Sequence, residues 1–135
     1  MAYQQKQIKV IRGGKIDHAE LYYKNMDNYQ CILKVVFGGN VDGYEVSDTD
    51  FFNCFCQIRN YFANVTFLCK GAKVNVYPSP MARDMSKGLL AYQLQMGKHA
   101  LMEDLVAIFD FADEDIVSTE EQQAFFNAWI KSLRS

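Results

Sequence analysis

From Tyr29 the chain alternates. Tyr29, Cys31, Leu33, Val35 and Phe37 fall on one side of an extended backbone, and Gln30, Ile32, Lys34 and Val36 on the other. That period of two predicts a strand with one apolar face and one half-polar face. The cluster Gly38-Gly39-Asn40-Val41-Asp42-Gly43 predicts a turn, and Tyr44 to Val46 a short returning strand, together a hairpin with a longer loop. Upstream, Gln7 to Ile11 alternates more weakly and predicts a first short strand closed by Gly13-Gly14. Residues 17–28 are polar and mixed, with Leu21, Tyr22 and Tyr23 as the only anchors, and read as loop.

The period then changes. Phe51, Phe55, Ile58 and Phe62 recur at spacings of four, three and four, with Cys54 and Tyr61 widening the stripe. This predicts an amphipathic helix that packs on a sheet. Ser47 is the expected cap, with Asp48 and Asp50 at the positive end of the helix dipole. Val65 to Lys70 and Lys73 to Tyr77 read as two strands around Gly71-Ala72, a type II′ hairpin. Pro78 and Pro80 interrupt the ladder because neither can donate to it. Ser79 to Gly88 reads as loop, Leu90, Tyr92, Leu94 and Met96 as a further strand ended by Gly97, and Asp110 to Asp115 as an acidic loop. Leu101 to Ala112 fits helix or strand. Ser118-Thr119-Glu120-Glu121 has capping-box spacing and opens a final helix whose apolar stripe is Phe126, Trp129, Ile130 and Leu133.

Hairpins dominate and no βαβ alternation repeats. The expected architecture is therefore α+β: a mostly antiparallel sheet of about five to six strands with two or three helices packed on it, in one domain spanning residues 1–135. Half of the 135 residues are apolar, enough for a self-sufficient core at this length. The first residues hold no apolar run behind a basic start, and no stretch reaches the roughly 18 apolar residues of a membrane helix, so a cytoplasmic location without membrane association is expected.

Charge changes the picture more than composition does. Residues 1–100 carry 12 Lys or Arg against 8 Asp or Glu, a balance of +4, whereas residues 101–135 carry 2 against 8, a balance of −6. A clustered negative field steers a basic partner and speeds its association. Asp104, Asp110, Asp113, Glu114 and Asp115 are the candidate partner-binding residues in this stretch. The competing reading is a solubilising face, with Glu120 and Glu121 complementing a helix dipole. A second candidate surface is Tyr77 to Gly88, where Tyr77 is joined by Met81 and Met85 as adaptable contacts and Arg83 as a fork for carboxylates.

Candidate chemistry is sparse. Cys31, Cys54, Cys56 and Cys69 each sit in an apolar run and read as small buried hydrophobes. Cys54 and Cys56, two apart on a helix, point about 200° apart and cannot chelate one ion together. His18 and His99 form no helical metal-binding pair. The glycine pairs lack phosphate-loop spacing. No catalytic residue, metal site or cofactor is expected. Lys6, Lys9, Arg12 and Lys15, with Lys70, Lys73, Arg83 and Lys87, keep a nucleic-acid-binding module open, although the sequence pI of 5.6 counts against it. A small-ligand or enzymatic site between sheet and helices, near Tyr92 and Cys69, is the first rival to a protein-binding surface, ahead of the nucleic-acid-binding module.

The run Tyr77-Pro78-Ser79-Pro80-Met81-Ala82-Arg83-Asp84-Met85-Ser86-Lys87-Gly88, with Ala91-Tyr92, Met96-Gly97-Lys98 and Asp104 to Phe109 after it, resembles a segment of small enterobacterial proteins. Some of these are similar to immunity proteins that accompany polymorphic toxins of the contact-dependent growth inhibition or Rhs type. The similarity covers about residues 60–110 and carries no catalytic signature. It implies a cytoplasmic bacterial protein that binds and neutralises one cognate toxin domain, often a nuclease, and it assigns no binding residue.

Overall fold

The computed structural model describes residues 2–26, 28–38 and 43–134. The chain runs β1 (Gln4–Arg12), β2 (Lys15–Asn25), β3 (Cys31–Phe37), β4 (Tyr44–Asp48), α1 (Phe51–Tyr61), β5 (Thr66–Phe67), β6 (Val76–Tyr77), α2 (Pro80–Ser86), β7 (Leu90–Gln93), β8 (Leu105–Ala107) and α3 (Thr119–Ser132). The strands form two antiparallel sheets, one of five strands in the order β4-β3-β2-β1-β5 and one of three in the order β6-β7-β8. The α+β architecture is as the residue pattern predicts. The division into two sheets is not.

The large sheet buries one face. Ile8 and Val10 of β1, Ala19 and Leu21 of β2, and Cys31, Leu33, Val35 and Phe37 of β3 all point inward. Against them α1 sets Phe51, Phe52, Cys54, Phe55 and Ile58. Phe55 meets Phe67 at 5.7 Å and Phe109 at 5.4 Å, both edge to face, the arrangement that aligns ring edges with ring faces. The helix is capped by Asp50, whose Oδ1 accepts from the Asn53 amide at 2.7 Å. Ser47 and Asp48 belong to β4 instead. Tyr61 leaves the predicted stripe: it is exposed and stacks on Tyr44 at 4.0 Å.

The small sheet is two-faced. Val76 and Ala91, with Val106 beside them, join the main core. Tyr92, with Leu105 and Tyr77, joins a satellite cluster containing Ala82 of α2 and the half-buried Phe126 and Trp129 of α3. The period of two survives here, but each side of the sheet faces a different cluster.

Four expectations change. Residues 17–28 are mostly strand, since β2 pairs with both β1 and β3. Its inward positions begin with Asp17 and Ala19 and its outward ones include Tyr22, so apolar alternation is faint. Gly13 and Gly14, at φ 56° and 77°, are the tight turn joining β1 to β2. The hairpin around Gly71 does not form: β5 pairs with β1, β6 pairs with β7, and Lys70–Ala72 is a 3₁₀ turn. Gly71 is there for close approach, because a Cβ would lie 2.7 Å from Ile108 Cβ. The expected loop at Ser79 to Gly88 contains α2, with Ser79 Oγ accepting from the Ala82 amide at 3.1 Å and Pro80 in the first turn. There a missing N–H costs nothing. Leu101 to Ala112 resolves into a 3₁₀ turn (Met102–Asp104), β8 and loop. The predicted strand from Leu90 ends at Gln93 rather than Met96. Of the predicted turn at 38–43, residues 39–42 lie outside the described residues.

Candidate protein-binding surfaces

The acidic segment is a strap with a defined path. After β8 it pairs antiparallel in two short stretches, residues 110–112 against 68–70 and residues 115–117 against 72–74. The Lys70 amide donates to Asp110 O at 2.8 Å, Ala112 N to Leu68 O at 3.2 Å, Val74 N to Asp115 O at 2.8 Å and Val117 N to Ala72 O at 3.1 Å. Asp115 takes φ 61°, a left-handed conformation that Asp tolerates better than most residues. The strap ends at Ser118, whose Oγ accepts from the Glu121 amide at 3.1 Å and donates to Glu121 Oε1 at 3.4 Å, which caps α3. Asp113 and Glu114 are thus exposed carboxylates on a short span between two anchored stretches, and Asp115 is exposed at the start of the second.

Among the described residues, Asp110 is the only acidic side chain of this segment in an ion pair, accepting from Lys6 Nζ at 3.5 Å. The strap also runs beside Lys70 and Lys73, which the sequence placed in a separate basic group. Asp104 is not part of the strap. It lies at the other end of β8, where its Oδ2 accepts from the Leu101 amide at 2.9 Å and it lines a polar groove of about 520 Å³ with Asn75, Lys98, His99 and Glu103.

The second candidate surface divides in two. Tyr77 and Arg83 make contacts inside the molecule. Tyr77 donates to Gln123 Oε1 at 2.7 Å and stacks on Phe126 at 4.1 Å. Arg83 donates to Asp50 and, at 3.0 Å, to Asn53 Oδ1, tying α2 to the start of α1. The guanidinium fork does engage a carboxylate, but one of this chain. Met81 and Met85 are exposed, at 57% and 55%. Leu101 and Met102 are also exposed, and the adjoining Ala100 packs on the satellite cluster that holds Ala82 of α2.

No local residue pattern signals the polar lock beside the strap. Gln122 of α3 is 1% exposed, and its Nε2 donates to the carbonyls of Gly71, Lys73 and Val76 at 2.8–2.9 Å. Its Oε1 accepts from Arg59 Nη1 at 2.9 Å, and Arg59 Nη2 donates to Val117 O at 2.9 Å. Burial lowers the Arg59 guanidinium below its usual range. One glutamine therefore fastens α1, the 70–76 turn and α3 together.

The thiols are held neutral. Burial pushes Cys54 and Cys69 up to about 12, and also raises Cys31 and Cys56. A thiol in that range is a poor nucleophile at neutral pH. Cys69 belongs to the main core and Tyr92 to the satellite cluster, so the two do not line one site. No group of three or more metal-ligating side chains occurs among the described residues. The amino-terminal cations do not form one stripe: Lys6 and Arg12 share a face of β1 with Ile8 and Val10, and Lys9 lies on the other. Arg12 is 3.4 Å from Asp17 and sits over the Phe37 ring at 4.4 Å. No helix of the described residues is long and apolar enough to cross a membrane. No family model matches this chain, and no curated protein matches its sequence.

Proposed function

We propose that the chain is a protein-binding domain whose acidic strap, Asp110 to Asp115, engages a basic surface on a partner. The observation that carries this reading is the contrast between backbone and side chains in the strap. The backbone is fastened to residues 68–74 by main-chain hydrogen bonds on both sides of Asp113 and Glu114, while Asp113, Glu114 and Asp115 stay exposed without ion-pair partners among the described residues. Carboxylates held in place bind at a lower ordering cost than carboxylates on a loose loop. The flanking Lys70 and Lys73 limit the field and favour a partner with local basic groups over one with a broad basic surface. The resemblance at Tyr77 to Gly88 makes a cognate toxin domain the first partner to try, with this chain as its neutralising immunity protein. Met81 and Met85 supply a second, adaptable contact.

Affinity capture from the native host, with wild type beside an Asp110→Asn, Asp113→Asn, Glu114→Gln, Asp115→Asn variant, tests the reading. The expected result is a basic protein held by wild type and lost from the variant. An unchanged set of captured proteins would overturn it.

A further inference from the structure

β1 has a strand on each side for only part of its length. On one side β2 pairs with all nine residues, Gln4 to Arg12. On the other, β5 pairs only with Val10 and Ile11, and the Leu68 amide adds one bond to Lys9 O at 3.0 Å. The two-residue turn at Gly13-Gly14 makes Arg12 and Lys15 a hydrogen-bonded pair, so even-numbered residues of β1 bond to β2 and odd-numbered ones face β5. The Lys9 carbonyl bond follows that rule. Beyond it, the main-chain N–H and C=O groups of Gln7 and Gln5 face an edge to which no strand among the described residues is paired.

The flanks of this edge are organised. Gln5 and Gln7 turn their side chains onto Glu20, donating to Oε2 and Oε1 at 3.0 and 3.1 Å, which keeps them off the edge. Alongside runs a groove of about 240 Å³ lined by Ile8, Leu68, Phe109 and Phe111, with Lys6 and Lys9 at its rim. Phe111 is 51% exposed, and Lys9 Nζ lies 5.3 Å over its ring with no carboxylate partner among the described residues.

We infer that the Gln5–Gln7 edge of β1 accepts an extended segment of a partner protein as an added strand, collinear with β5. That segment places one apolar side chain in the Phe109–Phe111 groove and an Asp or Glu against Lys9. Main-chain bonds supply affinity in this mode, and the pocket for an alternate side chain supplies selectivity. The charge at the edge selects the occupant. A second copy of this strand would bring the same two lysines against Lys6 and Lys9, and like charges across a ladder are destabilising. An acidic strand is favoured for the same reason. The groove borders the acidic strap, whose Phe111 lines it and whose Asp110 pairs with Lys6, leaving Lys9 as the unpaired cation of its rim among the described residues. The inference uses none of the exposed carboxylates Asp113, Glu114 and Asp115 and stands without that reading.

Selection of a displayed library of random nine-residue peptides on the intact protein tests it. The expected binders alternate apolar residues with Asp or Glu, slow amide exchange at Gln5 and Gln7, and are lost on Gln7→Pro. That substitution removes an edge donor and the side-chain bond to Glu20, but no main-chain bond to β2. Lys9→Glu should weaken the same binders about fivefold, and N-methylation of the peptide main chain should abolish binding without touching the protein. Binders that are basic, that survive both Gln7→Pro and N-methylation, or that leave the Gln5 and Gln7 amides unprotected would overturn the inference, as would selection yielding no binder.

Discussion

The two ends of the molecule are held by different means. The large sheet and α1 enclose a continuous apolar cluster built around Leu33, Phe55, Ile58 and Phe67. The α2–α3 side of the small sheet has only Ala82, Tyr92 and Leu94 fully buried in its cluster, and α3 has a single buried residue, Gln122. There, stacked half-buried aromatics and a polar lock stand in for a core. Burial of apolar area is non-directional and tolerates small shifts, whereas a glutamine bonded to three carbonyls tolerates few. The end that carries Met81 and Met85 is thus fixed in geometry without a large core beneath it, whereas the strap lies beside Cys69, Ala72 and Ile116 of the main cluster.

This contrast can be broken, starting at the main core. Phe55→Ala should cost about 3–5 kcal/mol and move the whole urea unfolding curve. Gln122→Ala removes the donor shared by the Gly71, Lys73 and Val76 carbonyls and one acceptor of Arg59, which keeps Gly71 O and Val117 O, and should cost about 1–3 kcal/mol. Its signature is local: hydrogen exchange should accelerate in α3 while β2 and β3 stay protected. Equal acceleration in both would mean the two ends unfold as one unit and would dissolve the contrast.

The thiols sharpen the comparison by pH. Cys54 and Cys69 are raised to about 12 in the folded chain from an ordinary value of 9.0. Their contribution is therefore fully present below about pH 9 and is lost as pH rises toward the folded value. On the order of 1 kcal/mol per thiol should disappear for each pH unit above 9. Urea midpoints at pH 8 and pH 10 should separate in wild type and separate less in a Cys54→Ala, Cys69→Ala variant, in which the raised Cys31 and Cys56 remain. Arg83→Ala, which unties α2 from Asp50 and Asn53, should cost about 1–2 kcal/mol in the same assay. Met81→Ala with Met85→Ala should change stability by no more than about 0.5 kcal/mol. A larger loss would show that these side chains serve the fold.

The same contrast governs what could be read from the residues alone. Cys31 to Phe37 and the Phe51–Phe55–Ile58 stripe announce themselves by period because each buries one face against one cluster. β2 does not, because Asp17 and Ala19 occupy inward positions and Tyr22 an outward one. The small sheet was missed for a tertiary reason: β6 pairs with β7 and β5 with β1, so two short neighbouring strands that resemble a hairpin part company at Gly71. α2 was hidden by Pro80, which breaks a ladder but also starts a helix. At the candidate surface, the exposure of Asp113, Glu114 and Asp115 follows the charge pattern. The approach of Lys6, Lys70 and Lys73 to the strap, and the distance of Asp104 from it in the chain's pairing, depend on contacts that local pattern does not encode. Gln122 looks like any polar residue on an amphipathic helix.

The functional claim rests on fixed carboxylates meeting a basic partner. Its most direct test is the affinity of the captured partner at low and high ionic strength, for wild type and for the variant neutralised at Asp110, Asp113, Glu114 and Asp115. The prediction is an affinity that falls as salt rises in wild type, with a weaker affinity and a flatter salt dependence in the variant. Equal affinities for the two proteins at both ionic strengths would contradict it.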